Sequence, residues 1–359
     1  MSNDKIDLFS PITIGNVTLR NRMVMAPLTR NRAGEGNVPQ DMNVVYYRQR
    51  ANAGMIITEA TQVSAEGIGY PATPGIHNEE QVAGWKKITK AVHDEGSLIF
   101  LQLWYCGRIS HPDLLPDNQQ PISASAIKPE GEAVTYEGMK PFVEPRALAM
   151  EELPGLIDQY RIAAENARKA GFDGVEVHAA NGYLLDQFLR DGSNHRQDDY
   201  GGSIENRARL MLEVVDSVAQ VWDSSQVGVR ISPDNSYNDM TDSDPQALFN
   251  YVADSLGSRN LAYLHVVEGG FMGEHNVDYD QIRQHYNGNY MANLGYDLEK
   301  ARAAIAGGHA DLVSFGTLFL ANPDLVARFK ANAELNTPDQ ETFYGGDEHG
   351  YTDYPFMNS

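Results

Sequence analysis

Short apolar runs alternate with helix-spaced apolar stripes along most of the chain. The runs Arg22–Ala26, Gly54–Ala60, Ser97–Leu103, Gly174–His178, Gly228–Ser232, Ala262–Val267, Tyr290–Asn293 and Leu312–Phe315 read as strands. Between several of them the spacing turns helical. Val82, Trp85, Ile88 and Val92 form one stripe closed by Gly96, and Leu156, Tyr160, Ala163 and Ala167 form another closed by Gly171. Met211, Val214, Val218 and Val221 form a third, and Leu298, Ala301 and Ile305 a fourth that ends at Gly307 and Gly308. Strands alternating with helices in this number predict an α/β fold, a (β/α)8 TIM barrel. A doubly wound sheet is the alternative, but a GxGxxG after the first strand is absent.

The alternation of side chains within the strands supports the barrel. If Ile99, Leu101 and Leu103 face the helices, Gln102 and Trp104 point inward. Val229 and Ile231 likewise place Arg230 inward, and Val175 and Val177 place Glu176 and His178 on the other face. Polar and aromatic groups thus gather at the C-terminal ends of strands, where barrel enzymes keep their active sites.

Two additions surround this core. Pro11–Leu19, with Gly15-Asn16 at its centre, reads as an N-terminal hairpin able to close the barrel bottom. Residues 105–150, after the third strand, are too long for a simple connection and are expected to be a capping insertion beside the site. The aromatic run Gly350-Tyr351-Thr352-Asp353-Tyr354-Pro355 is expected to dock the tail, so residues 1–359 read as one domain.

Composition narrows the partners. The 359 residues are 42% hydrophobic, enough for a sizeable core, and no stretch reaches the length of a membrane span. Lys and Arg number 28 against 49 Asp and Glu, a net charge of -21 that argues against nucleic acid and against an anionic membrane. Cys106 is the sole cysteine, which excludes an internal disulfide or a cysteine-built metal cluster. His77, His93 and His111 stand isolated and there is no HExxH, so no metal site is expected. A polar N-terminus without a signal-peptide pattern makes the cytoplasm the expected compartment.

The chemistry concentrates where the fourth strand ends, in His178-Ala179-Ala180-Asn181-Gly182-Tyr183. Two nitrogen donors followed by a phenol can hold an oxygen and deliver a proton beside it, which suits a polarised carbonyl compound. A histidine and tyrosine merely satisfied within a loop is the plainer alternative. Arg230, inward in a barrel, needs a counterpart: a salt bridge to Glu176 or Glu59, or an electron-rich cofactor ring. Gln102 offers both a donor and an acceptor to a heterocyclic edge, and Thr29 a hydroxyl at the same rim. Asn293-Leu294-Gly295 and Phe315-Gly316-Thr317 end the last two strands, where barrels often bind phosphate through backbone N–H groups. Arg190–Asn194 and Tyr200–Arg207 read as an ordered, capped scaffold.

The run from His178 to Asn194, together with Tyr200-Gly201-Gly202-Ser203-Ile204-Glu205-Asn206-Arg207, strongly resembles the old yellow enzyme family of FMN-dependent ene-reductases. The likeness is greatest to a bacterial branch of N-ethylmaleimide and nitrate-ester reductases. It extends from Leu8-Phe9 through Ala26-Pro27-Leu28-Thr29-Arg30 and Ala321-Asn322-Pro323-Asp324-Leu325 to the Tyr351 motif. The resemblance implies FMN as cofactor, with NADPH or NADH as electron donor, in a monomer or homodimer acting on a small molecule. It implies that Pro27, Leu28 and Thr29 lie along the flavin, that Ala60 and Gln102 meet its pyrimidine edge, and that Arg230 stabilises its reduced anionic form. Asn293 would bind the cofactor, and Leu294, Gly316 and Thr317 would offer backbone N–H groups to its phosphate. His178 and Asn181 would bind the substrate oxygen, Tyr183 would donate the proton, and Tyr70, Trp104 and Tyr351 would wall the cavity. The implied reaction is reduction of the activated C=C bond of α,β-unsaturated carbonyls, maleimides or nitro compounds, extending to nitrate esters, with hydride from flavin N5. A flavin-free barrel lyase and a ligand-sensing flavoprotein are the competing classes.

Three positions depart from the family pattern. Thr317 stands where an arginine usually pairs with the phosphate, Tyr105 where a histidine is usual, and Leu294 where the residue is often small.

Overall fold

The computed structural model describes residues 6–271, 273 and 275–357. A hairpin of β1 (Ile12–Ile14) and β2 (Val17–Leu19) precedes β3 (Met23–Met25), helix α1 (Asp41–Gln49), β4 (Met55–Ile57), the two-residue β5 (Thr61–Gln62) and α2 (Glu79–Asp94). Then come β6 (Leu98–Trp104), a cap carrying β7 (Ile122–Ser123), β8 (Glu132–Thr135), β9 (Gly138–Pro141) and β10 (Arg146–Ala147), and α3 (Leu153–Lys169). β11 (Gly174–Ala179), α4 (Leu184–Leu189), α5 (Ile204–Val221), β12 (Val227–Ile231), α6 (Pro245–Gly257), β13 (Tyr263–Val267) and α7 (Tyr279–Tyr286) follow. β14 (Tyr290–Asn293), α8 (Leu298–Gly307), β15 (Leu312–Phe315), α9 (Thr317–Ala321) and α10 (Leu325–Ala331) complete the series.

Strands β3, β4, β6 and β11 to β15 form one parallel sheet, and the β6–β11 pairing closes it into an eight-stranded barrel. The eight expected strands are these eight. The run Gly54–Ala60 is the one that shortens most. Beyond Ile57 the Glu59 N–H bonds the Tyr47 hydroxyl at 2.9 Å, so a side chain takes over from the ladder. The chain then resumes as β5 against the end of β6.

Two apolar layers result from the alternation of side chains. Ile99, Leu101, Leu103, Val175, Val177, Val229 and Ile231 pack outward with the stripes of α2, α3 and α5. Inside, Val24, Met55, Ile57, Phe100, Tyr263, Met291 and Leu312 fill the barrel bottom, and Ile14 and Leu19 of the hairpin plug it from below. Gly228 belongs to this fit: a Cβ there would lie 2.3 Å from the Tyr263 ring.

The capping insertion, 105–150, leans on the barrel top through Ile109, Ala133 and Phe142, which pack against Tyr70 and Tyr183. Arg196 binds the cap at the Ala124 carbonyl (3.2 Å) and at the Leu148 carbonyl (2.5 Å). The scaffold after α4 is ordered by buried ion pairs, Arg190 with Asp186 at 2.9 Å and Arg207 with Asp242 at 2.5 Å.

The tail docks through arginines from the N-terminal third. Arg30 donates to the carbonyls of Phe343 (2.9 Å) and Gly350 (2.8 Å), and Arg32 to those of Asp347 (2.9 Å) and His349 (3.2 Å). Arg50 is fully buried over the Tyr46 ring at 3.9 Å, and burial lowers its pKa to about 10. It donates to the carbonyls of Tyr46, Phe319, Leu320 and Tyr351. Arg50→Ala leaves these acceptors without a donor and opens a cavity, so it is expected to cost about 3 kcal/mol or more in stability. Limited proteolysis should then cut the segment after Ala331 faster than in the parent. Unchanged unfolding and cleavage would show that the tail is anchored elsewhere.

Candidate active site

The site grows from the end of β11. Asn181 and Gly182 both adopt left-handed backbone conformations (φ 59° and 77°), which ends the strand and turns the chain into α4. Gly182 is also needed for closeness, since a Cβ there would lie 2.7 Å from the Asn238 Cβ. Helix α4 fixes the turn from the far side. Asp186 accepts the Gly182 N–H at 2.9 Å and Gln187 donates to the Gly182 carbonyl at 2.8 Å.

This turn presents His178 and Tyr183 with their ring centres 5.4 Å apart. Tyr183 stands edge-on to Trp104 at 5.0 Å, Trp104 stacks on Tyr70 at 5.8 Å, and the Tyr183 and Tyr70 hydroxyls are 3.1 Å apart. Ala60 and Cys106 complete the same apolar cluster. Burial pushes the Tyr183 phenol well above its ordinary pKa, so it stays protonated. Burial, with Arg230 and His265 nearby, pushes His178 well below its ordinary value, so its imidazole is neutral. His178 Nδ1 and Trp104 Nε1 are buried without a protein partner.

Beneath lies a polar belt that crosses the barrel. Gln102 Nε2 donates to Glu176 Oε1 at 2.7 Å, and His265 Nδ1 is 2.9 Å from Glu176 Oε2. His265 Nε2 meets the Ser314 hydroxyl at 2.8 Å, Asn293 Nδ2 donates to the Ser314 carbonyl at 3.1 Å, and Arg230 Nη2 donates to Asn293 Oδ1 at 2.8 Å. Burial alone would raise the Glu176 carboxyl, but His265, Arg230 and Gln102 outweigh it and hold it below its ordinary value. Burial lowers His265, which with Glu176 ionised serves as a neutral donor through Nδ1 and an acceptor at Nε2. The counterpart expected for Arg230 is therefore a mixed one. Glu176 supplies charge balance, its direct bond goes to Asn293, and its buried Nε has no partner. Glu59 is engaged elsewhere, accepting the Tyr47 hydroxyl at 3.1 Å and the Arg30 N–H at 3.3 Å, and burial raises its pKa to about 7.

The remaining expected residues ring this centre. Pro27 is buried, and Leu28 and Thr29 half-buried, directly after β3; the Leu28 side chain approaches Gly316, where a Cβ would lie 3.3 Å away. Leu294, half-buried, holds a left-handed conformation (φ 82°), and exposed Thr317 opens α9 next to half-buried Gly316. Arg230 Nε, buried without a protein partner in this hydrogen-bonding belt, fits a flat heterocycle with carbonyl edges, and the orphaned His178 Nδ1 and Trp104 Nε1 offer donors to a second ligand.

Tyr351 is the exception among the expected wall residues. Its ring stacks on Tyr46 at 4.2 Å, its hydroxyl accepts from Asn43 at 2.7 Å, and it is wholly buried. It anchors the tail because Arg30 and Arg32 lie 5.0 and 4.6 Å from its ring, a cation–π setting that holds it away from the pocket. The tail aromatic near the site is Tyr344, exposed, and close enough with Tyr237 to raise the Tyr183 pKa. Tyr237 in turn meets Phe271 edge-on at 5.9 Å. These three sit in loops without periodicity, and only their aromatic character amid polar and glycine-bearing sequence could have marked them.

Residues 7–336 match the NADH:flavin oxidoreductase / NADH oxidase family. The chain is 45% identical to the "Probable flavin mononucleotide-dependent alkene reductase" of Leishmania infantum, over 98% of this chain and 97% of the relative. Among solved structures, morphinone reductase superposes with a TM-score of 0.96 at 47% identity, covering 100% of this chain and 98% of that one. The old yellow enzyme homologue from Zymomonas mobilis gives 0.95 at 44% identity, covering 98% and 100% respectively.

Glu176→Gln tests the belt. A carboxamide cannot accept from His265 and Gln102 together, and it leaves Arg230 buried without its counter-charge. The variant is expected to lose about 3–5 kcal/mol in chemical denaturation. A loss under about 1 kcal/mol would show that charge balance here is not a stability requirement.

Proposed function

We propose that this chain, which belongs to the NADH:flavin oxidoreductase / NADH oxidase family, reduces activated C=C bonds through His178, Asn181 and Tyr183. It is an FMN-dependent ene-reductase driven by a reduced nicotinamide. Bound FMN would supply the hydride chemistry between the nicotinamide and the alkene. The observation that carries the residue assignments is a neutral imidazole with an unpartnered Nδ1 beside a phenol held protonated by burial.

The chain's own part is to bind, polarise and protonate. His178 and Asn181 hydrogen-bond the carbonyl or nitro oxygen, which draws electron density from the β-carbon and stabilises the negative charge that develops on the oxygen. A neutral histidine still donates an N–H, and that hydrogen bond strengthens as negative charge develops on the oxygen. Tyr183 gives its proton to the α-carbon, and Tyr70, 3.1 Å from it, can pass a proton back. Trp104 and Tyr70 close the pocket wall. Thr29, Gln102, Ala60 and Arg230 would meet the flavin ring, Pro27 and Leu28 would flank it, and the Arg230 guanidinium would offset negative charge on it. Asn293 holds Arg230 in place, and the backbone N–H groups of Leu294, Gly316 and Thr317 would receive the phosphate without the usual arginine.

Substrates in this reading are α,β-unsaturated aldehydes and ketones, maleimides, nitroalkenes and nitrate esters, with NADPH or NADH as donor. Among the described residues no helix is long and apolar enough to cross a membrane. We assign the protein to the cytoplasm as a monomer or homodimer, with residues 1–359 as one FMN-binding barrel domain, supported by its net charge of -21 and by the arginine-clamped tail.

Tyr183→Phe is expected to slow reoxidation of the reduced enzyme by cyclohexenone about 10²–10⁴-fold. Flavin reduction by NADPH should stay within a few fold, so an equal collapse of both half-reactions would refute the proton-donor role. The signs of the two shifts also set a pH profile. His178 takes up a proton only well below its ordinary 6.5, and Tyr183 ionises only well above its ordinary 10. The alkene half-reaction should therefore be flat between these values in stopped-flow, and an inflection near neutrality that vanishes in His178→Ala would contradict a neutral imidazole.

A further inference from the structure

The loop after β12 reaches across to the catalytic turn and touches Asn181 at each of its polar groups but one. The Asn181 N–H donates to the Ser232 hydroxyl at 2.7 Å, and the Asn181 carbonyl accepts from Asn238 Nδ2 at 2.8 Å. Its side-chain Oδ1 accepts from Asn235 Nδ2 at 3.0 Å. Asn235 is itself buried, and its own Oδ1 accepts the Tyr237 backbone N–H at 3.0 Å.

A carboxamide has a donor end and an acceptor end of nearly the same shape, and packing alone hardly chooses between them. The choice matters at this position. With Nδ2 toward the pocket, Asn181 stabilises negative charge on a bound oxygen; with Oδ1 toward it, Asn181 repels that oxygen. We propose that Asn235 is a positioning residue that fixes the Asn181 carboxamide as a hydrogen-bond donor toward the substrate. Polarity enters the chain of bonds at the Tyr237 N–H, which can only donate. That N–H claims the Asn235 oxygen, the Asn235 amide must then donate onward, and the Asn181 oxygen is consumed. Ser232 and Asn238 hold the Asn181 backbone and leave its side chain free to turn. The neighbouring Asp234 is already occupied by the N–H groups of Asn276 and Val277 and the Tyr279 hydroxyl, which anchors the loop against α7. The inference rests on the assignment of Asn181 to the substrate oxygen.

The test is the FMN holoenzyme titrated with 4-hydroxybenzaldehyde, read by its flavin charge-transfer band, in Asn235→Asp and Asn235→Leu. Aspartate has nearly the same shape and still accepts the Tyr237 N–H, yet has no proton to give. Asn181 must then turn its Nδ2 to the carboxylate and its oxygen to the pocket. Leucine removes the bias without reversing it. Dissociation constants should rise about fivefold in Asn235→Leu and about fiftyfold in Asn235→Asp, and cyclohexenone KM should follow in dithionite-reduced enzyme. A purely structural role gives the opposite order, with the isosteric aspartate the milder change, and that order overturns the proposal. In an Asn181→Ala background both substitutions should lose their effect on ligand binding; additive losses also overturn it. If Asn235→Asp does not retain FMN, the same cycle with uncharged Asn235→Leu decides. Asn181→Ala by itself must weaken the ligand. If it does not, the assignment of Asn181 fails, a result distinct from a failure of Asn235.

Discussion

A carboxylate buried in the middle of the barrel, Glu176, is the constraint around which the rest of the site is arranged. An isolated charge at that depth is strongly disfavoured, so the strands facing it must bring donors. β6 brings Gln102 and β13 brings His265, while Arg230 of β12 lies close enough to help keep the carboxyl ionised. The bonds continue through Ser314 and Asn293 back to Arg230, so one connected belt spans six strands. Below it the barrel is filled by apolar side chains and the Tyr263 ring and sealed by the hairpin; above it the open side faces the site. The same belt that stabilises the barrel therefore sets a charge-balanced, hydrogen-bonding floor, carrying the Arg230 guanidinium, for a cofactor ring.

Above that floor the site depends on a turn that only certain residues can make. Asn181 and Gly182 take left-handed conformations in succession, and the space at Gly182 is claimed by the loop that carries Asn238 and Met240. The turn is thus fixed from two directions, by α4 through Asp186 and Gln187 and by the β12 loop through Ser232, Asn235 and Asn238. Such doubled support is what a site needs if two donors and a phenol are to hold an oxygen in one geometry. The aromatic cluster of Tyr70, Trp104 and Tyr183 packs around the phenol, and burial keeps it protonated.

Periodicity made much of this legible. The strand spans Tyr290–Asn293 and Leu312–Phe315 could be read from apolar runs, and the inward sense of Gln102, Glu176, His178 and Arg230 from alternation, because both follow from local backbone geometry. The order of the motifs along the chain named the family. Legibility failed where a residue's place depends on what it meets across the chain. Tyr351 and Tyr344 lie in the same polar tail, seven positions apart. Nothing local tells that the first is trapped between Tyr46 and two arginines while the second faces Tyr237.

The sequence by itself determined the alternating barrel, the hairpin that plugs it, and the concentration of donors at the strand ends, since each is written in short-range spacing. Tertiary structure alone decided which partners those donors find. It set Arg230 against Asn293 with Glu176 as shared charge, moved Tyr351 into an anchor, and brought Asn235 to Asn181 across 54 residues. The physical reason is the same in each case. A hydrogen bond or a buried charge is settled by the partner that folding brings within about 3 Å, and that distance is set by the closed barrel rather than by neighbours in the chain.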